Sequence, residues 1–222
     1  MAATYNKYPI SNVDTIGNAI VSALTESGMY DTVSYDTTSK VITIANNSKT
    51  YCTLTVGGTF NVNVYTDSIS SATSSSYGSV SNVAISVVGT NVFVTVFGSW
   101  RCSVIFTKSK NDKNMIVFSY VYNNFYYPVA VPNDASSIEK ISIDTLGFPY
   151  ISNPSIITTT AFIAQSVSET YAVSKSTYRL TRMPSVCGYP WTTGSMSDCL
   201  RVTVDGKAGI TDGLFLVLDD TV

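Results

Sequence analysis

The chain has 222 residues, with 45% hydrophobic residues and only 13% charged ones. There is enough apolar material for a core, while the charged share is about half of the usual ~25%. A net charge of −2 and the complete absence of histidine exclude imidazole-based nucleophile systems and imidazole-ligated metal sites, and give no electrostatic basis for binding nucleic acid. Serine and threonine take the place of the missing charges, with 31 Ser and 28 Thr, and Val outnumbers Leu by 26 to 8. Branched and aromatic side chains suit a pleated surface, so the composition predicts a mainly β protein.

The N-terminal MAATYNKYPISNVD has no basic region followed by an apolar run, so no secretory signal is expected. No apolar stretch reaches the ~18 residues of a membrane helix, and no membrane partner is expected. Residues 11–28 carry the one convincing helix. Ser11 can cap it, Asp14 follows as in a capping box, and Gly28 can stop it. Val13, Ile16, Ile20 and Leu24 form one apolar stripe, which predicts packing on a sheet.

From there the period changes to two. DTVSY and KVITIA flank the turn-like DTTS, and TYCTLTV and TFNVNVY flank Gly57-Gly58, a two-residue hairpin signal. Cys52, Leu54 and Val56 share a face, as do Phe60, Val62 and Val64. Residues 68–79 contain seven Ser in SISSATSSSYGS and read as a flexible loop. A meander follows: VAISVV, NVFVTVF, CSVIF, MIVFSYVY and FYYPVAV, with breaks at Gly89-Thr90, Gly98-Ser99, the lysine turn KSKNDK and Asn123-Asn124. Pro128 cannot donate to a ladder, so FYYPVAV reads as an edge strand or one that ends early.

After VPNDASS the texture shifts, which places a soft domain boundary near residue 135: a helix-plus-meander unit over 1–135 and a β unit over 136–222. A single interleaved sandwich is the alternative. EKISIDTL reads as a strand, and SIITTTAFIAQSVS and TYAVSKSTYRLTRM are strand-compatible. LRVTVDGK and GLFLVLDD read as two strands around a turn. The predicted architecture is antiparallel, sandwich-like sheets with one N-terminal helix packed on them.

Few groups carry chemistry. Cys52 and Cys102 sit in alternating runs and read as small buried hydrophobes. Cys187 and Cys199 flank CGYPWTTGSMSDC and could close a loop, although a reducing compartment disfavours that disulfide. Asp205, Asp212, Asp219 and Asp220 invite a calcium reading but lack the spacing of a calcium loop, so solvated, turn-forming Asp is expected. Only three Glu are present, and no local spacing supports a carboxylate pair. The expectation is a non-enzymatic protein with no catalytic residue, metal, nucleotide or organic cofactor.

The aromatics say more. Tyr189 and Trp191 in CGYPWTTGS offer stacking faces with polar handles, suited to a glycan or a protein partner. The competing reading has Trp191 plugging the end of a sandwich core. Phe125, Tyr126 and Tyr127 alternate across a strand, so both faces need cover, and a neighbouring subunit could supply one. Low charge points the same way, since a Ser/Thr/Asn/Tyr surface suits a chain packed against other copies.

In overall texture the chain resembles tailed-bacteriophage virion proteins, notably over NVNVYTDSISS, MIVFSYVYNNFYYPVAV and GLFLVLDD. That resemblance implies a tail, baseplate, fibre or capsid-surface component made in the host cytoplasm and located in the virion. Its implied partners are further copies of itself and other virion proteins, with a host-surface glycan as the alternative. It transfers no functional residue.

Overall fold

The computed structural model describes residues 3–47, 49–65, 71–98, 101–108, 114–122, 125–132, 141–142, 171–174, 180–182, 186–188, 198–204, 207–212, 215–219 and 221. The chain opens with β1 (Thr4–Pro9), a 3-10 turn over Ile10–Asn12 and α1 (Val13–Ser27). Next come β2 (Thr32–Asp36), β3 (Val41–Asn46), β4 (Lys49–Thr55), β5 (Phe60–Tyr65) and β6 (Ser71–Tyr77). The meander consists of β7 (Asn82–Val88), β8 (Asn91–Phe97), β9 (Arg101–Lys108), β10 (Asn114–Tyr122) and β11 (Phe125–Pro132). Short strands follow: β12 (Ile141–Ser142), β13 (Tyr171–Ser174), β14 (Leu180–Arg182) and β15 (Val186–Gly188). The chain ends with β16 (Leu200–Val204), β17 (Lys207–Thr211) and β18 (Phe215–Leu218).

The strands form three antiparallel sheets. The central sheet has the order β1-β7-β8-β9-β10-β11-β12-β13-β14, the front sheet β2-β3-β4-β5-β6, and the back sheet β15-β18-β17-β16. Among the described residues the fold is mainly β with a single helix, Val13–Ser27, as the composition and the apolar stripe predict. β11 and β12, on either side of residue 135, pair in the same sheet.

Two hydrophobic layers hold the sheets together. Between front and central sheets, Ile42, Ile44, Leu54, Phe60, Val62 and Val64 meet Val92, Val94, Val104, Phe106, Ile116 and Phe118. The helix closes this layer with Ile16, Ile20 and Leu24, all fully buried. Each such side chain contributes about 1.5–3 kcal/mol on burial. Cys52 and Cys102 are buried in the same layer, as their alternating runs predict. On the other side of the central sheet, Val88, Phe93, Ile105, Met115 and Val117 pack against Ile210, Phe215 and Val217 of the back sheet. The central sheet is thus covered on both faces, and every residue of β8 is buried, whereas β5 alternates between buried and half-buried positions.

The structure departs from the sequence reading at several points. The helix begins at Val13, with Asn12 at its N-cap and no side-chain cap, so Ser11 does not serve as one. Asp14 instead accepts hydrogen bonds from Tyr35 Oη and Lys40 Nζ, both at 2.7 Å, which tie the helix to the front sheet. Gly28 ends the helix at φ 65°, as expected, its N–H donating to the Thr25 carbonyl. Gly57-Gly58 is not a tight hairpin turn. Thr55 pairs with Asn61, and main-chain bonds from Val56 to Lys40 and from Val80 to Gly58 hold a wider loop.

The serine-rich run is not a loop over its whole length, because β6 pairs with β5 and ends the front sheet. Main-chain pairing stabilises a strand of small residues when the neighbouring strand is already fixed by its core face. Pro128 does not terminate β11. β12 pairs only with Val129 and Ala130, so Pro128 lies just beyond that pairing. The tail contains an additional strand, β17, between the two expected ones, and it pairs with both. β1 and β15 carry too short a pattern to stand out. Residues 109–113 of the lysine turn, Asn123-Asn124 and SIITTTAFIAQSVS lie outside the described residues.

The outer face of the front sheet carries two transverse rows set by register. One is Ser34–Thr43–Thr53–Asn63–Ser74, and the other is Asp36–Val41–Thr55–Asn61–Ser76.

Candidate functional site

A group of buried polar side chains lies between the central and back sheets. Strand alternation places Thr95 of β8 and Ser103 of β9 on the back-facing side, directly opposite one another. Asp212, directly after β17, lies against Ser103. Ser103 Oγ donates a short hydrogen bond to Asp212 Oδ2, and the Phe215 N–H donates to Oδ1 at 2.8 Å. Ser103 Oγ is 3.4 Å from Thr95 Oγ1, which also accepts from the Cys199 thiol at 3.4 Å. Thr95, Ser103 and Asp212 are all fully buried.

A second polar knot sits beside the first. Asn91 Nδ2 donates to the carbonyls of Val88 (2.9 Å) and Leu218 (3.2 Å), while Thr107 Oγ1 donates to Asn91 Oδ1 at 2.6 Å. One amide thereby links the β7–β8 turn, β9 and β18. Burial pushes the Cys102 thiol up, and the nearby Asp212 carboxylate adds to the rise. Burial likewise raises the Cys52 thiol, so neither is a thiolate nucleophile near neutral pH.

Chemically, a hydroxyl beside a carboxylate is the start of a nucleophile–base pair. Here both groups have zero exposure and bridge two sheets, so the pair acts as a tie between layers. The expectation of solvated Asp is corrected for Asp212 and Asp219, which are both buried. Asp219 accepts from the Thr221 N–H at 2.9 Å and from its hydroxyl at 2.6 Å. Among the described residues no group of three or more His, Cys, Asp or Glu is placed to hold a metal ion, and no helix is long and apolar enough to cross a membrane. Asp205 and Asp220 lie outside the described residues.

The Thr221 hydroxyl, followed by its N–H, holds the Asp219 carboxyl below its ordinary value of 3.8. A carboxyl lowered on folding contributes stability that is complete above its unfolded pKa and is lost as pH falls through the folded value. Thr221→Val should therefore lower the melting temperature most at neutral pH, with the difference from wild type shrinking below about pH 4. Thermal melts from pH 2 to 7 check this; a difference independent of pH would assign the effect to another group.

The remaining sequence-predicted residues are dispersed. Phe125, Tyr126 and Tyr127 open β11 and pair with Tyr122, Val121 and Tyr120 of β10, in the middle of the central sheet's strand order. Tyr189 and Trp191 lie outside the described residues. Cys187 and Leu200 stand at opposite ends of the row Cys187–Leu216–Thr211–Leu200, three strand spacings or about 14 Å apart. Cys199, one Cα step of ~3.8 Å from Leu200, stays beyond the ~4.4–6.8 Å that a disulfide spans. The loop-closing disulfide does not form in this fold, and Cys199 is a thiol.

Asn91, Thr95, Ser103, Thr107 and the burial of Asp212 escaped the sequence reading. A usable signal was present: Thr95 shares its strand face with Phe93, and Ser103 and Thr107 share theirs with Ile105. Polar residues interleaved with large apolar ones on one face indicate cover by another layer. Comparisons with protein-family models, with curated proteins and with solved structures return no match.

Proposed function

We propose that this chain is a non-enzymatic structural subunit of a phage virion, acting by self-association and by contacts with other virion proteins. The observation that carries this reading is the use made of its polar chemistry. Asp212, Ser103, Asn91 and Thr107 are spent on fastening the back sheet to a central sheet already buried on its other face. A stack of three sheets fastened in this way is a rigid block, which suits a part repeated many times in a shell or tube. The assignment to a phage particle rests on the resemblance in sequence texture.

Phe125, Tyr126 and Tyr127, at the start of β11, are the proposed subunit contacts. Light scattering over a range of concentrations should show species larger than the 23.9 kDa chain, and substitution of the three aromatics by Ser should reduce their size. Mass spectrometry of purified phage particles should find the protein among the virion components. A strictly monomeric protein missing from those particles would contradict the proposal.

A further inference from the structure

We draw no further inference here: the strongest candidate, the side-chain cluster between the central and back sheets where the half-buried Cys199 thiol, directly before β16, donates to Thr95, belongs to the Thr95–Ser103–Asp212 tie already described and adds to it a lone cysteine, with nothing in the structure to show what would bind or react there.

Discussion

Asp212→Ala should be among the most destabilising single substitutions in the back half of the molecule, at about 3 kcal/mol. The substitution leaves the Ser103 hydroxyl and the Phe215 N–H without the carboxylate oxygens that they address, in a place water does not reach. A buried donor stripped of its acceptor costs about 1–3 kcal/mol. Asp212→Asn keeps the shape and one carbonyl oxygen for Phe215, so its cost should be smaller, on the order of 1 kcal/mol. Urea unfolding at neutral pH measures both. Equal and negligible losses would show that the carboxylate is not a tie between the sheets.

Phe93→Ala should cost about 3–5 kcal/mol, the usual range for emptying a large aromatic site in a core. Phe93 lies on the back-facing side of β8, beside Ile105 and beneath the apolar residues of β17 and β18. Without the back sheet this ring would stand in water, and its removal would be nearly neutral. Chemical denaturation of the variant therefore reports on the third layer as well as on the residue. A loss under ~1 kcal/mol, the scale of ordinary surface changes, would mean that β8 is covered on one face only.

The layers were unequally legible in the sequence. α1 was readable because Ile16, Ile20 and Leu24 repeat at helical spacing and Gly28 provides a left-handed stop; its start was not, because Asp14 serves Tyr35 and Lys40 rather than a cap. The front sheet was readable from strict alternation in CTLTV and FNVNV, since one face is core and the other solvent. β6 was hidden because its stability comes from pairing with β5, which leaves no pattern in its own serines. The cover of the central sheet by the back sheet was hidden for a related reason. NVFVTVF has apolar residues on both faces, but which strands cover the second face is decided by residues more than a hundred positions later. Asp212 reads as an ordinary turn aspartate in TDG, and nothing local reveals that its carboxylate meets Ser103. The disulfide between Cys187 and Cys199 was open in sequence and is closed by strand order, since β15 and β16 are the two edges of one sheet.

The three-layer stack is tested most directly by the reactivity of a thiol placed under the back sheet. Ser103→Cys replaces one small side chain with another of similar shape on the back-facing side of β9, where Ser103 has zero exposure. Alkylation of the native protein, followed by peptide mapping, separates this thiol from the natural cysteines. With the back sheet in place, Cys at 103 should remain unmodified until the protein unfolds in urea, as should the buried Cys52 and Cys102. Labelling at 103 under native conditions, at the rate of an exposed thiol and with Cys102 still protected, would contradict the third layer while leaving the other two standing.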